Sequence, residues 1–193
     1  MARRQSRVRA QLVSADEMVK PSEAELRCIL RAADEIIMRA GRDMLAKILK
    51  GSKEKKVLGY GLDACPVYGC FHEYTLAEIT KMIDWSIRAG YLAWDYDGRL
   101  PLIVFTQKGW ELYKPIYAEE LHQRILHTAE EKAVLALIEQ LKKTNREVIL
   151  LLLEDMATSK NIGILRFLEQ WRQCEIQKVR SRIDWTITEI RRA

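Results

Sequence analysis

The stretch from Gly41 to Trp110 reads, in order, as helix, basic loop and helix, loop, helix, hairpin and helix start, and that order limits what the chain can fold into. The helix from Leu76 to Ala89 is the clearest part. Leu76, Ile79, Ile83 and Ile87 recur at steps of three and four, with Met82 beside them, which places them on one face. Thr75 is the candidate N-cap, and Glu78 is its capping-box partner. Gly90 suits the left-handed position after the last turn. Tyr91 to Tyr96 is rich in aromatics and alternates, as a strand does. Asp97-Gly98 is a hairpin turn signal, and Leu102 to Thr106 brings the chain back. Pro101 lacks an N–H, so it belongs at an edge or a strand start.

This is the order of a winged-helix domain, mainly α with a small β-hairpin wing. Lys50-Gly51-Ser52-Lys53 follows a helix, and Tyr68-Gly69 sits in the next loop. A helix then ends Arg88-Ala89-Gly90-Tyr91-Leu92, and the hairpin closes Phe105-Thr106-Gln107-Lys108-Gly109. This ordered set resembles the RQC domain of RecQ-family helicases. That domain's pattern is a basic or polar residue before Gly-Ser, a Phe/Tyr-Gly loop, a helix ending Gly-Phe/Tyr/Leu-Leu, and a hairpin ending Leu-Thr-x-x-Gly. The match covers about 70 of 193 residues without large gaps. Each motif alone is weak, and their order makes the set specific. No G-x-x-x-x-G-K-[ST] phosphate loop of a helicase motor is present, and the family's zinc module has no counterpart. The chain looks like a stand-alone RQC-type protein.

The resemblance implies docking on DNA through a helix N-terminus, the loop before it and the wing. Lys81 is therefore not expected to read base edges. Lys50, Lys53, Lys55 and Lys56 gather against the single acid Glu54. Gly51 lets the backbone approach closely, and Ser52 can cap the next helix, so a phosphate seat is physically sensible. A solvated lysine face is the ordinary alternative. Tyr68 and Gly69 align with the family's aromatic-glycine pair. Where the family often has a phosphate-contacting lysine, this chain has His72, largely neutral at pH 7, so that contact is weaker or pH-dependent.

In RecQ-family helicases the hairpin is implicated in separating strands, sometimes with an aromatic at its tip. Here Tyr96 is placed to stack on a base, worth about 1–3 kcal/mol, and Arg99 to meet a phosphate. Asp95 and Asp97 flank Tyr96 and would repel the backbone, so strand separation is the weaker reading. Trp94 and Tyr96 share a face by alternation. Trp85 and Trp110 are expected in the core.

Three segments are expected. Residues 1–20 form a basic arm carrying Arg3, Arg4, Arg7 and Arg9, suited either to phosphates and a minor groove or to solubility. Residues 21–117 form the RQC-like domain. Its first helix runs from a Ser22/Glu25 capping box to Ala40, with Leu26, Ile29, Leu30, Ala33, Ile36 and Ile37 inward. The next, Gly41 to Leu49, points Met44, Leu45, Ile48 and Leu49 inward, and Pro115 marks a kink or boundary. Residues 118–193 form C-terminal helical hairpins at Ala129–Lys143, Val148–Met156, Asn161–Trp171 and Cys174–Arg192. Val134, Leu135, Ile138 and Leu141 face inward on the first, and Ile176, Val179, Ile183, Trp185 or Ile187, and Ile190 on the last. Lys178, Arg180, Arg182, Arg191 and Arg192 either extend a DNA face or are solvated.

A net charge of +5 is compatible with phosphate contacts without requiring them. The four cysteines (28, 65, 70, 174) make no C-x-x-C pair and are not grouped with the three histidines, so no metal site and no cofactor are expected. The longest apolar run, Val148 to Leu153, is too short to cross a bilayer, and no apolar leader follows the basic start. The expectation is a cytoplasmic protein, nucleoid-associated when bound to DNA, with no membrane contact. Cys70 and His72 are the only catalytic-type pair worth naming, and nothing orients the histidine, so no enzyme is expected. The leading expectation is a non-catalytic protein that holds duplex or duplex-end DNA through Lys50, Ser52, Lys53, Lys56, Tyr68, Gly69, His72, Tyr96 and Arg99. DNA repair or recombination beside a separate helicase or nuclease would suit it. The alternatives are a winged-helix protein-interaction scaffold or a dimeric transcription regulator on a palindromic site.

Overall fold

The computed structural model describes residues 10–128 and 130–192. Arg3, Arg4, Arg7 and Arg9 of the basic arm lie outside the described residues. The chain forms two compact units, one ending at Tyr113 and one starting at Lys114. The first runs α1 (Glu23–Asp34), α2 (Arg42–Lys50), α3 (Lys55–Gly59), a 3-10 turn at Leu62–Ala64, α4 (Leu76–Arg88), β1 (Leu92–Asp97), β2 (Leu100–Phe105) and the start of α5 (Gln107–His127). It is the expected winged helix, mainly α with one antiparallel hairpin.

Local signals fix where the helices begin. The Ser22 hydroxyl accepts the Glu25 N–H at 3.3 Å, and Glu25 accepts the Ser22 N–H at 2.7 Å. Thr75 and Glu78 repeat this box at α4, at 3.2 and 2.7 Å. Each box satisfies two amides the helix leaves open and contributes about 1 kcal/mol. The expectation that α1 reaches Ala40 is not met, because it stops at Asp34. The Met38 N–H donates to the Ile103 carbonyl at 3.1 Å, and the Ile103 N–H donates to the Ala40 carbonyl at 3.0 Å. Residues 38–40 therefore lie along β2 instead of continuing the helix. Met38 makes the turn with a φ of 56°, a conformation that costs a side-chain-bearing residue roughly 1–2 kcal/mol.

The core of this unit sits between α1, α2 and α4. Leu26, Ile29, Leu30, Leu45, Ile48, Leu49, Ile79 and Ile83 are buried there. Met44 is only half-buried, and Leu76, expected inward, is exposed in the first turn of α4. Asp84 and Ser86 are buried instead. The hairpin pairs Leu92 with Phe105 through to Asp97 with Leu100. Gly98 and Arg99 are thus the turn residues, one position later than the Asp97-Gly98 signal suggested, and Gly98 supplies the left-handed φ of 57°. Trp85 and Trp110 are half-buried. Trp85 stacks on Tyr91 at 6.2 Å between ring centroids, and Trp110 packs on Phe105 and Tyr113.

The base of the wing is locked by the Thr-x-x-Gly motif. The Thr106 hydroxyl donates to the Gly90 carbonyl at 2.6 Å, and the Gly109 N–H donates back to that hydroxyl at 3.0 Å. The first turn of α5 is thereby pressed on Tyr91. A Cβ at position 109 would lie 1.9 Å from the Tyr91 carbonyl oxygen, so no side chain fits.

The second unit contains the rest of α5, then α6 (Glu131–Lys143), α7 (Arg146–Ser159), a 3-10 turn at Ile162–Ile164, α8 (Leu165–Gln173) and α9 (Gln177–Arg191). α5 runs through Pro115. A proline removes one backbone donor, and the neighbouring bonds carry the helix across that gap. Leu135 is exposed and Leu137 takes the buried place. On α9 Ile187 is buried while Trp185 is exposed, as is Ile176 just before the helix. α7 runs past the expected Val148–Met156 at both ends, and Lys160 closes it with a φ of 51°. The Thr186 hydroxyl donates to the Leu153 carbonyl at 3.0 Å, tying α9 to α7. His122 is 8 % exposed, and its Nε2 has no hydrogen-bond partner among the described residues. Burial pushes its pKa below the ordinary histidine value, with Asp155 pulling the other way.

Two outcomes follow from this packing. Gly109→Ala is expected to cost about 3 kcal/mol or more, because the Tyr91 backbone has to move. Gly59→Ala, in a helix with open space around it, should be neutral or stabilising by up to roughly 1 kcal/mol; urea midpoints of both variants check the contrast. The unfolded chain takes up the His122 proton near the ordinary pKa of about 6.5, while the fold resists it. His122 therefore contributes full stability above that pH, and the contribution is lost as pH falls below it. His122→Leu is expected to flatten the dependence of the urea midpoint on pH as pH falls below about 6.5.

Candidate nucleic-acid interface

Two loops that are far apart in sequence meet at two glycines. Gly51 ends α2 with a φ of 76°, and its N–H donates to the Ile48 carbonyl at 3.0 Å. Gly69 has a φ of 73°, and its N–H reaches the same Ile48 carbonyl at 2.9 Å. A Cβ on Gly51 would sit 3.0 Å from the Gly69 Cα. The Phe71 N–H continues the contact to the Leu49 carbonyl at 2.8 Å, and Phe71 is buried. The loop from Pro66 thus lies across the end of α2 and takes up carbonyls the helix leaves open.

Side chains reinforce the junction. The Tyr68 hydroxyl donates to the Ser52 carbonyl at 2.9 Å. Lys50 Nζ donates to the His72 and Tyr74 carbonyls at 2.5 and 2.7 Å. Lys50 is therefore committed to the loop as well as carrying charge. Ser52 does not cap a helix, contrary to expectation. Its hydroxyl accepts the Glu54 N–H at 3.3 Å, and α3 begins after Glu54 with no side-chain cap. Lys47 holds Glu54 at 2.8 Å, so the one acid of the stretch is engaged. Lys53, Lys55 and Lys56 are exposed.

His72 is exposed, with Nδ1 3.1 Å from the Gly69 carbonyl oxygen and Nε2 3.9 Å from Glu73. On the α1 side, Tyr74 donates to Glu25 at 2.7 Å. The Ser22 backbone N–H, and then the Tyr74 hydroxyl, hold the Glu25 carboxyl below the usual carboxylate range. The structure therefore gathers Lys50, Ser52, Tyr68, Gly69 and His72 into one neighbourhood beside exposed Lys53 and Lys56.

Tyr96 and Arg99 belong to the hairpin. Tyr96 is half-buried, its Oη 3.5 Å from the Ala10 N–H, while Asp95, Asp97 and Arg99 are exposed. The reason Ala10 is there was not visible in the sequence. Asp84 is fully buried and binds Arg42 at 2.7 and 2.6 Å through its two oxygens. The same carboxylate accepts the Val13 N–H at 2.8 Å, and Arg42 also reaches the Gln11 carbonyl at 3.1 Å. This clamp fastens residues 11–13 across α2 and α4. Helical spacing puts Asp84 with Lys81 and Arg88 on or near the polar side of α4, yet it is buried: an isolated carboxylate would be costly inside the unit, and Arg42 together with a backbone donor offsets that cost.

In the second unit several basic residues of the last helix have acidic or carbonyl partners. Arg182 is 3.7 Å from Glu154, Arg191 is 2.8 Å from Glu169 and Arg192 is 2.7 Å from Glu189. Arg180 donates to the Glu175 carbonyl at 2.9 Å. Among the described residues there is no group of three or more His, Cys, Asp or Glu side chains that could hold a metal ion, and no helix is long and apolar enough to cross a membrane.

The motif loops, the Thr-x-x-Gly junction and the hairpin coincide with a family match. The model of the RQC domain matches residues 18–133. The chain belongs to the RQC domain family. It is also 30% identical over 101 residues to the ATP-dependent DNA helicase RecQ of Bacillus subtilis (strain 168). That alignment covers 52% of this chain and 16% of the helicase, so the chain corresponds to a small part of that relative. No solved structure matches the chain significantly.

The Asp84 clamp makes a direct prediction. Asp84→Ala leaves Arg42 without its buried partner and is expected to cost about 3 kcal/mol. It should also abolish hydrogen-exchange protection of the Val13 amide, whereas Asp84→Asn, which keeps one acceptor oxygen, should retain part of both.

Proposed function

We propose that the first unit is a non-catalytic module that holds duplex DNA or a duplex end. Membership of the RQC family and likeness to part of a DNA helicase support the class of partner. The observation that carries the reading is the meeting of Gly51 and Gly69. It joins the Lys50–Lys56 stretch and the Tyr68–His72 loop into one surface, with no side chain at the point of closest approach. A phosphate can come near the backbone there while exposed Lys53 and Lys56 supply charge.

The roles divide by geometry. Lys53 and Lys56 contact phosphate. Lys50, spent on the His72 and Tyr74 carbonyls, positions the loop and adds a screened charge. Ser52, Tyr68 and Gly69 shape the seat, and exposed His72 adds a weaker contact than a lysine would. Arg99 at the hairpin turn meets a second phosphate. Tyr96 offers an aromatic face, but exposed Asp95 and Asp97 beside it work against a strand-separating wedge. DNA repair or recombination, beside a separate helicase or nuclease, is the setting such a module suits.

The test is binding to labelled blunt duplex, forked duplex and single strand over a range of salt. Preference for duplex or fork is expected, with affinity falling steeply as salt rises. Lys53→Ala and Lys56→Ala should each weaken binding to all duplex sequences alike and reduce the log–log salt slope by about 1. Absent or salt-independent binding at low ionic strength overturns the proposal.

A further inference from the structure

A cavity of about 290 Å³ opens in the first unit between the end of α1 and the end of α3. Its floor is apolar, with Ile36 and Leu62 both buried. Its rim carries Tyr60, which is 59 % exposed, and Arg39, which is exposed too. Glu35 also borders it, but Arg31 engages that carboxylate at 2.8 Å. No acid engages Arg39 among the described residues, so the uncompensated charge of the rim is positive. Met38 and Leu58, close to Arg39 and Tyr60 in the chain, are exposed large apolar side chains. Nothing in the nucleic-acid reading uses this group.

Both walls are held by backbone contacts. The Arg39 and Ala40 N–H groups donate to the Ile36 carbonyl at 2.9 and 3.0 Å, and Met38 is fastened to β2 as described above. Arg39 therefore stands on a fixed turn. On the other wall, buried Val57 anchors α3. Tyr60 caps that helix, and the Gly61 N–H donates to the Leu58 carbonyl at 3.0 Å. Lys56 lies four residues before Tyr60, so the two side chains leave the same face of α3 as neighbours.

We propose that this cavity seats the first unpaired base of a single-stranded DNA extension on the duplex held at Lys53 and Lys56. The inference rests on the DNA-holding reading above and names the form of DNA that the site prefers. A flat apolar ring joined to a phosphate is what an exposed aromatic face, an apolar floor and an unpaired guanidinium recognise together. The Tyr60 ring stacks on the base, and Arg39 supplies charge for the phosphate that follows it. Lys56 holds the phosphate before it, which ties the base seat to the duplex surface. The cavity is at the small end of the range for ligand sites, about 300–1,000 Å³, which suits one base rather than a base pair. A base inside a duplex is paired and stacked, so only an unpaired one can enter.

The experiment compares binding of the full chain to a blunt duplex and to the same duplex with a two-nucleotide extension on either strand. A further arm places iododeoxyuridine at the first unpaired position and irradiates the complex. One of the extensions is expected to tighten binding roughly tenfold. Tyr60→Ala should remove that gain and leave blunt-duplex binding unchanged, while Tyr60→Phe, which keeps the ring, should keep the gain. Arg39→Ala should reduce it. The photoproduct should map to Tyr60 by peptide mass. Extensions that add nothing, a photoproduct at Tyr96 instead, or a Tyr60→Ala variant that weakens blunt and extended duplexes alike would each overturn the base seat and leave the duplex reading standing. Absence of all duplex binding overturns both. A gain that survives Tyr60→Ala while self-association of the chain is lost also overturns the seat and assigns the rim to a contact between copies.

Discussion

The backbone contact between Gly51 and Gly69 is the constraint on which the rest of the candidate site depends. A Cβ on Gly51 would be 3.0 Å from the Gly69 Cα, and both residues hold a left-handed φ, 76° and 73°, that disfavours any side chain. The contact also requires α2 to end in the left-handed conformation there. Once those conditions hold, the open carbonyls of Ile48 and Leu49 are satisfied by the amides of Gly69 and Phe71. Phe71 can then be buried, and Lys50 can span to the His72 and Tyr74 carbonyls. The lysines that follow have no apolar surface to cover and project into solvent. Charge at this site is therefore a result of how the chain turns, as much as of how many lysines it has.

Features whose cause is local were legible in the sequence. Both capping boxes could be placed because the cap and its partner are three residues apart. The hairpin was legible from its aromatic strand and its glycine turn, although the pairing register moved the turn by one residue. The phase of α6 was not legible. Ala133 to Ile138 is a continuous apolar run, so spacing alone cannot decide between Leu135 and Leu137. The early end of α1 was hidden for a different reason: its cause is β2, which lies more than 60 residues downstream. Asp84 was misread for the same reason, since its partner Arg42 is far away in the chain and a lone acid on a helix normally faces water.

The candidate site divides along the same line. The glycine and aromatic motifs pointed to residues that the fold does bring together. What spacing could not show is which lysine is spent on structure. Lys50 binds backbone carbonyls, and a carbonyl acceptor leaves no mark in the sequence. Ser52 illustrates the limit of a cap signal: serine favours any nearby open amide, and the one it finds belongs to Glu54, before α3 begins.

α1 is best understood as part of the nucleic-acid module, not as an appendage to it. The family match begins at residue 18 and so includes this helix. Physically, α1 supplies one wall of the core through Ile29 and Leu30, both fully buried. It also holds the Tyr74 end of the loop through Glu25, while α2 holds the Gly69 end. A loop fixed at both ends by different helices keeps its turn without needing regular structure of its own. A change at Glu25 that releases α1 from the loop therefore alters the shape of the candidate surface without touching Lys53, Lys56 or His72.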